Sequence, residues 1–171
     1  MTGLAQECNS PRSEKVVVQF GARTIKGYLE CPEWDYVEEL LTNAFHHPPA
    51  TLRIRSYDSD IIENIAIADV KAIYYVNSFD GNAEHKPLNF HARTPIAQGI
   101  WVRLHFIDGE VMEGLVYNSM RYLVDPGFFV LPTDPGSNNK LAYVLKSWLV
   151  DLRVLGIRKL RSESRVSGTS D

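Results

Sequence analysis

The chain lacks the features that mark secreted, disulfide-bonded or membrane-spanning proteins. Its 171 residues include two cysteines, Cys8 and Cys31, which are too few for a disulfide framework. No apolar run approaches the length of a membrane span, and the N-terminal residues lack the charged and apolar regions of a signal peptide. These absences predict a protein of the reducing cytoplasm that has no membrane partner.

The chain also lacks the motifs of catalytic and metal sites. It has no Gly-x-Ser-x-Gly turn for a nucleophile, no glycine-rich phosphate loop before a helix and no carboxylate pair at a catalytic spacing. His46 and His47 follow Cys31 in the sequence, but no second ligand pair stands at the spacing that a zinc site needs. The acidic residues around Asp108 are interpreted as solvated side chains of a hairpin. The sequence therefore predicts a protein that is not an enzyme and holds no metal or cofactor.

The chain carries little excess charge of either sign, with a formal net charge of −3. Acidic residues outnumber basic ones in residues 15–81 and slightly in 99–157, whereas 158–171 are net basic. A nucleic-acid binder needs a basic face that neutralises phosphates. This balance argues against nucleic acid as a ligand, although a local basic patch would still allow RNA as a partner.

What the chain does contain is one pattern that occurs twice. The alternating strands Lys15–Phe20 and Ile100–Phe106 are each followed by a turn and a second strand with an internal glycine, Gly27 or Gly114. A glycine inside a strand usually marks a bend of the kind that closes a small barrel. The copies end in runs that align without a gap, Ile65–Val76 and Val144–Leu155. This duplication predicts a mainly all-β fold of two tandem SH3-like or Sm-like small barrels.

The repeats divide the chain into five predicted segments. Within the first repeat, residues 33–46 have apolar positions at helical spacing and acidic residues early in the run, which predicts one short inserted helix. The stretch between the repeats contains two prolines and no sustained period, as a linker does. The segments are a disordered leader at 1–14, the first barrel at 15–81 with its helix at about 33–46, a linker at 82–98, the second barrel at 99–157 and a flexible tail at 158–171.

The second copy resembles known families of small barrels. The Asp108-Gly109 pair between two alternating strands is a strong hairpin signal, and Gly114 follows five residues after the turn glycine. With the late strands around Ser147–Leu155, this pattern resembles the bacterial Sm-like barrel of the SH3-like class. The stretch Gly127–Asn139 is similar to an uncharacterised bacterial domain that often occurs in paired copies and has no assigned activity. The resemblance covers roughly residues 15–157.

The Sm-like resemblance implies a ring that binds single-stranded RNA through loop residues near its pore. The matching positions of this chain are Asn118, Arg121 and Tyr122 in one loop and Ser137, Asn138 and Asn139 in another. The basic residues that typically clamp RNA between the late strands have no clear counterpart here, since the nearest is Lys146. RNA binding by an Sm-like oligomer is therefore the alternative function.

The best candidate for a binding loop follows the Gly-Phe-Phe strand of the second repeat. Its polar side chains could present donors and acceptors to a ligand or to a partner strand. A turn set by the Pro-Gly pair, in which Asp134 bonds its own backbone, explains the same residues without a ligand. The predicted binding residues in this loop are Asp134, Ser137, Asn138, Asn139 and Lys140.

Three arginines complete the set of predicted ligand- or partner-binding residues. Arg53 and Arg55 lie two apart, so they project from one face of a strand and could hold phosphate. The alternative interpretation is that their charges protect an edge strand from aggregation. Arg121 is the third. If these side chains and Arg103 lie together on one surface, RNA binding is favoured. If they are scattered, the hypothesis of RNA binding is weakened.

These observations predict a non-catalytic binding or scaffolding module, such as a protein-interaction domain or a regulatory subunit. A sheet with an open edge can add a strand from another chain, so we expect a protein partner or self-association. In the run Tyr74-Tyr75, one ring must point away from its own core, and we expect it to be buried where the repeats meet. A sensor of a nucleotide second messenger is the third hypothesis, and it requires a pocket between the repeats.

Overall fold

The described residues of the computed structural model form one antiparallel sheet of ten strands. The structure describes residues 13–30, 48–80, 99–119, 124–134 and 136–158. The strands are β1 (Lys15–Gln19), β2 (Thr24–Leu29), β3 (Thr51–Ser56), β4 (Ile62–Ala66), β5 (Ala72–Val76), β6 (Gly99–Phe106), β7 (Val111–Tyr117), β8 (Gly127–Pro132), β9 (Asn139–Leu145) and β10 (Leu149–Arg158). Short 3-10 turns at Ile67–Asp69 and Lys146–Trp148 precede β5 and β10.

The strands form where apolar and polar residues alternate in the sequence. In β1, Val16 and Val18 are fully buried, while the residues between and beside them are half-buried. The predicted hairpin at Asp108-Gly109 is present between β6 and β7, and Gly109 has a φ of +86°, a conformation that L side chains rarely adopt. The Phe106 N–H donates to the Glu110 carbonyl oxygen at 2.9 Å and closes the turn.

The order of the strands in the sheet is β10-β6-β7-β8-β9-β5-β1-β2-β3-β4. The first half of the chain (residues 15–76) has the order β5-β1-β2-β3-β4, and the second half (residues 99–158) has the same order as β10-β6-β7-β8-β9. The halves join where β9 pairs with β5, with Ala72 opposite Val144 and Tyr75 opposite Leu141. The two strands at the ends of the order are β10 and β4.

The prediction of two tandem small barrels is wrong, whereas the all-β class is correct. Closing the first half into its own barrel would need the outer edge of β5, and β9 occupies that edge. Closing the second half would likewise need β9, whose two edges already pair with β8 and β5. The ten strands therefore form one sheet that is not closed. The predicted helix at 33–46 and the linker at 82–98 lie outside the described residues, as do residues 1–12 of the leader and 159–171 of the tail.

Two hydrophobic clusters lie on opposite faces of β5 and β9. Ile73 and Tyr75 contribute to the first cluster, which takes most of its other side chains from β1 to β4. Tyr74 lies on the opposite face, in the second cluster with Val102 and Phe106 of β6. Because every residue of β5 is buried, this strand and β9 form the shared centre of the molecule. The expectation that one tyrosine ring is buried against the other half is confirmed for Tyr74.

Candidate binding edge and groove

The outer strand β10 presents an unusual amount of apolar surface to solvent. It is ten residues long, and in the sheet order it pairs only with β6 among the described strands. Its exposed apolar side chains include Val150 at 68%, Val154 at 60% and Ile157 at 68% of their full accessible surface, together with Leu152 and Leu155. A long apolar edge is a template for pairing with another strand. The register of β10 shifts between Leu149 and Asp151 and between Val154 and Gly156, so the regular segment that could accept a partner is 151–154. We call this strand and its outer edge the β10 edge.

A groove of about 460 Å³ opens beside the β10 edge. Its floor is formed by Ile100, Val102, Val116 and Phe128, and its wall by Leu152 and Val154 of β10. All six side chains lie on the same face of the sheet, because β10 pairs with β6 so that Leu152 stands opposite Leu104 and Val154 opposite Val102. The volume is within the range of ligand pockets in proteins, roughly 300–1,000 Å³.

The lining of the groove offers few polar groups to a ligand. Lys146 and Asp151 are the charged residues in it, and the Asp151 carboxylate accepts a hydrogen bond from Arg153 Nε at 2.6 Å. A small polar ligand would need several converging donors or charges to fix its orientation. The groove therefore suits apolar side chains better than a phosphate or a nucleotide.

The predicted binding loop makes contacts within the protein. The Asn138 side chain accepts a hydrogen bond from the Ser78 N–H at 3.0 Å and donates to the Ser78 carbonyl oxygen at 2.9 Å. The Asp134 carboxylate accepts from the Gly136 N–H at 3.0 Å, and the Ser137 hydroxyl accepts from the Asn139 N–H at 3.1 Å. These contacts build a turn and fasten it to the end of β5.

Lys140 of the same loop bonds across to the other half of the chain. Its Nζ donates to the Glu14 carboxylate at 2.5 Å. Both side chains are about two-thirds or more buried, at 33% and 22% exposure. Asn138 and Lys140 therefore contact distant parts of the chain, whereas Asp134 and Ser137 make contacts within the turn.

The predicted arginines do not converge on one surface. Arg53 and Arg55 lie on β3, near one end of the strand order, whereas Arg103 lies on β6, near the other. Arg55 donates to Glu30 at 2.7 Å and to Asp60 at 3.1 Å, and Arg103 donates to Glu113 at 2.6 Å.

Two of these cations are therefore already balanced by carboxylates. Arg121 lies outside the described residues. This scatter gives no support to a phosphate-binding face in the described part of the chain.

A buried lysine forms a site that the sequence pattern did not reveal. Lys71 is 2% exposed, and its Nζ donates to Asp108 at 2.5 Å and to Glu110, both in the β6–β7 turn. The ammonium also lies 4.6 Å from the centre of the Phe106 ring. This contact, which we call the Lys71 clamp, ties the start of β5 to the hairpin of the other half. The only sequence signal is a lysine inside the apolar run Val70–Val76.

The clamp shifts the protonation of its members. Burial lowers the pKa of Lys71, but hydrogen bonds from the ammonium to Asp108 and Glu110 outweigh that effect and raise the pKa above its ordinary 10.5. The hydrogen bond from Lys71 lowers the pKa of Asp108 below its ordinary 3.8. Burial, with a smaller contribution from Glu110, raises the pKa of the Tyr74 phenol. Lys71 and Asp108 are therefore both charged near neutral pH.

The clamp predicts how stability depends on pH. Because the pKa of Asp108 is lowered by folding, its contribution is present above pH 3.8 and is lost as the pH falls through the lower folded pKa. We expect the melting temperature of the protein to exceed that of Lys71→Met by a constant amount near neutral pH. That difference should shrink as the pH falls below 3.8. Thermal melts followed by circular dichroism across the acid range test this, and a difference that stays constant throughout would contradict it.

The described residues contain no candidate metal centre. Within them, no group of three or more His, Cys, Asp or Glu side chains is arranged to hold an ion. His46, His47 and Cys31 lie outside the described residues. No helix in the described part of the chain is long and apolar enough to cross a membrane.

Comparison with known protein families assigns the chain to one of them. The model of a family of unknown function, DUF6982, matches residues 12–156, which include both halves and the β5–β9 junction. The chain belongs to this family. Neither a curated protein nor a solved structure matches it. The match confirms the prediction of an uncharacterised domain, but it does not confirm the Sm-like or SH3-like resemblance or the paired copies.

Proposed function

We propose that this protein is a non-catalytic binding module that takes up an extended polypeptide segment along the β10 edge. The observation that carries the proposal is the combination of a ten-residue edge strand with an apolar groove of about 460 Å³ beside it. A strand added to a sheet edge gains main-chain hydrogen bonds, while every second side chain enters a pocket on one face. The sequence has only two cysteines, which supports the reducing cytoplasm as the place of action.

The geometry of β10 fits this mode of binding. Leu152 and Val154 face the groove, whereas Arg153 between them faces the other side of the sheet. A segment paired with β10 would therefore place alternate side chains over the groove, next to Leu152 and Val154. An apolar residue at those positions would remove exposed surface from water, at about 25 cal/mol per Å² of apolar area.

We also propose that the ten-stranded sheet arose from two copies of one unit. The halves share one strand order, and each has a 3-10 turn before its last strand, at Ile67–Asp69 and at Lys146–Trp148. Both observations support paired copies of one five-stranded unit with an Sm-like order of strands. In this proposal the copies have fused edge to edge through β9 and β5 instead of closing separately.

The alternative functions find less support. Binding of single-stranded RNA needs a basic, concave surface, and the described arginines are scattered and partly neutralised. A second-messenger sensor needs a polar pocket between the halves, whereas the groove is apolar and lies within the second half.

The proposed function predicts a loss of peptide binding on substitution of the β10 edge. The probe is a random decapeptide library displayed on phage and selected on the full-length protein, with the best peptide synthesised and titrated by fluorescence anisotropy. We expect alternating apolar sequences to be selected. Val154→Lys should weaken their binding by at least about tenfold, because a charge then meets apolar side chains.

A matched control uses an exposed apolar residue away from the groove. Ile107 is 59% exposed in the β6–β7 turn, so Ile107→Lys should leave the affinity unchanged. Selection of no peptide by a chain that is monomeric under the same conditions, or equal binding by Val154→Lys and Ile107→Lys, would overturn the proposal.

A further inference from the structure

The two ends of the sheet are counterparts of two strands that already pair within the chain. In the shared order, β10 takes the place in the second half that β5 takes in the first, and β4 takes the place of β9. The strands β5 and β9 pair antiparallel at the junction of the halves. The chain thus contains one example of the contact that β10 and β4 of two different copies could make.

Exposed apolar side chains are concentrated at these two ends. Five of them lie on β10, as described above. At the other end, Ile62 of β4 is 42% exposed and the preceding Ile61 is 62% exposed. The described strands between the ends have their edges paired on both sides. The surfaces that would benefit from a partner strand are therefore the two outer edges that pair with no other described strand.

The internal junction also fixes the register of such a contact. At that junction Ile73 stands opposite Tyr143, and Tyr74 stands opposite Ala142. The gapless match of Ile65–Val76 with Val144–Leu155 transfers this register to the two ends. In the transferred register the opposite pairs are Leu152 with Asn64, Arg153 with Glu63 and Val154 with Ile62 of a second copy.

The transferred register brings opposite charges together. Glu63 now accepts a hydrogen bond from Arg23 at 2.6 Å, and Arg153 donates to Asp151 at 2.6 Å. Glu63 and Arg153 are 36% and 65% exposed, so both can reach a new partner without unfolding. Opposite charges directly across an antiparallel pair are favourable, and like charges are not.

A second copy would also complete the groove. At the junction, Leu141, Tyr143 and Leu145 of β9 pack into the first hydrophobic cluster beside β5. The counterpart side chain Ile62 would lie over Leu152 and Val154, on the face that forms the groove wall. No other described strand covers this wall, so β4 of a second copy could supply the missing strand.

We propose that the β10 edge binds β4 of a second copy of this chain, antiparallel and in the register of the β5–β9 junction. This inference rests on the proposed function and names its partner. Because the two surfaces differ, the contact is head-to-tail, and repeated contacts give either a closed ring or an open filament. The main competing occupant is β10 of a second copy, which would give a two-fold dimer instead.

Disulfide trapping between two differently tagged full-length chains tests the pairing. Both chains carry Cys8→Ser and Cys31→Ser, one carries Leu152→Cys and the other carries Asn64→Cys. Directly opposite residues in an antiparallel pair lie at a Cα separation that a disulfide can span. After mild oxidation we expect a mixed disulfide between the two tags as the main product on a non-reducing gel.

The same gel provides the control for random collision and shows the results that would contradict β10–β4 pairing. Val111→Cys, exposed at the start of β7, should not link to Asn64→Cys. Self-linking of Leu152→Cys in preference to Asn64→Cys would show a β10–β10 dimer and overturn the inference. Equal linking by Val111→Cys would show random collision and also overturn it.

Exchange of the charged pair gives an independent readout in solution. Arg153→Glu and Glu63→Arg should each weaken association by about fivefold, because like charges then face each other. The double variant restores opposite charges at every contact, so it should recover the association measured by sedimentation or light scattering. If either substitution weakened association only by destabilising the single chain, the double variant would not recover the association.

The two proposals fail in different ways. A chain that stays monomeric at all accessible concentrations, yet binds the selected peptide in a Val154-dependent manner, overturns the self-pairing inference alone. A chain that binds no peptide and forms no Leu152–Asn64 disulfide overturns the proposed function of the β10 edge as well.

Discussion

The double variant Asp108→Asn/Glu110→Gln is expected to unfold at a clearly lower urea concentration than the unsubstituted protein, because it leaves the buried Lys71 ammonium without a charged partner. Lys71 is 2% exposed, so its side chain has little access to water once neutral amides replace the carboxylates. Both substitutions keep the shape of the side chains, and asparagine is well tolerated in a turn. The loss of stability is therefore attributed to the lysine that has lost its charged partners. Urea denaturation monitored by tryptophan fluorescence measures it.

Removal of the lysine should cost much less than removal of the acids. Lys71→Met keeps a similar volume in the apolar surroundings, and the carboxylates of Asp108 and Glu110 are each 39% exposed and can be hydrated. We expect a loss below about 1.5 kcal/mol. Asp151→Asn, in an exposed pair with Arg153, is the control and should change stability by no more than about 0.5 kcal/mol. Equal losses in Lys71→Met and the double variant would show that the clamp does not act through a buried charge.

Alanine at either of the matched strand glycines is expected to destabilise the protein by about 1–3 kcal/mol through overpacking. A Cβ at Gly27 would overlap the Arg55 carbonyl oxygen and lie 2.7 Å from Ile54 Cγ2. A Cβ at Gly114 would overlap Val130 Cγ1 and lie 2.8 Å from the Leu131 carbonyl oxygen. Backbone atoms of a paired strand cannot move aside without breaking its hydrogen bonds. Gly27→Ala should therefore be the more costly of the two.

A third glycine provides the control for this prediction. Around Gly156 of β10, the nearest atom to an added Cβ is Trp101 Cε3 at 3.9 Å, an ordinary contact distance. Gly156→Ala should leave the midpoint of thermal unfolding unchanged or slightly raised, since alanine restricts the unfolded chain. If Gly27→Ala and Gly156→Ala unfold at the same temperature, close packing is not what requires the glycines in β2 and β7.

The Lys71 clamp is connected to the groove through β6, which carries both the turn residues at its end and part of the groove floor. Lys71 joins the start of β5 to the turn between β6 and β7, and β6 carries β10 as its other neighbour. Val102 of β6 belongs to the floor of the groove and to the second hydrophobic cluster that β5 shares. Loss of the clamp should therefore weaken peptide binding only to the extent that it unfolds the protein.

The sequence by itself determined the local structure of this protein. Alternation places Val16 and Val18 on the buried face of a strand, and the Asp108-Gly109 pair specifies the turn between β6 and β7. The two-residue period of a strand predicts that one of Tyr74 and Tyr75 faces the other half, and the structure shows that it is Tyr74. These features depend on a few neighbouring residues and on the two-residue period of a strand, so they are readable from a single chain.

Only the tertiary structure decided how the strands join. The edge of a strand presents the same N–H and C=O groups whatever its sequence, so nothing in β5 states whether that edge closes a barrel or pairs with β9. The Lys71 clamp and the link from Asn138 to Ser78 depend on the same choice, because their partners lie 37 and 60 residues apart in the chain. The exposed groove is also a consequence of the open sheet. Side-chain pattern determines which face of each strand is buried, and the pairing of edges between distant strands determines the surfaces that remain for binding.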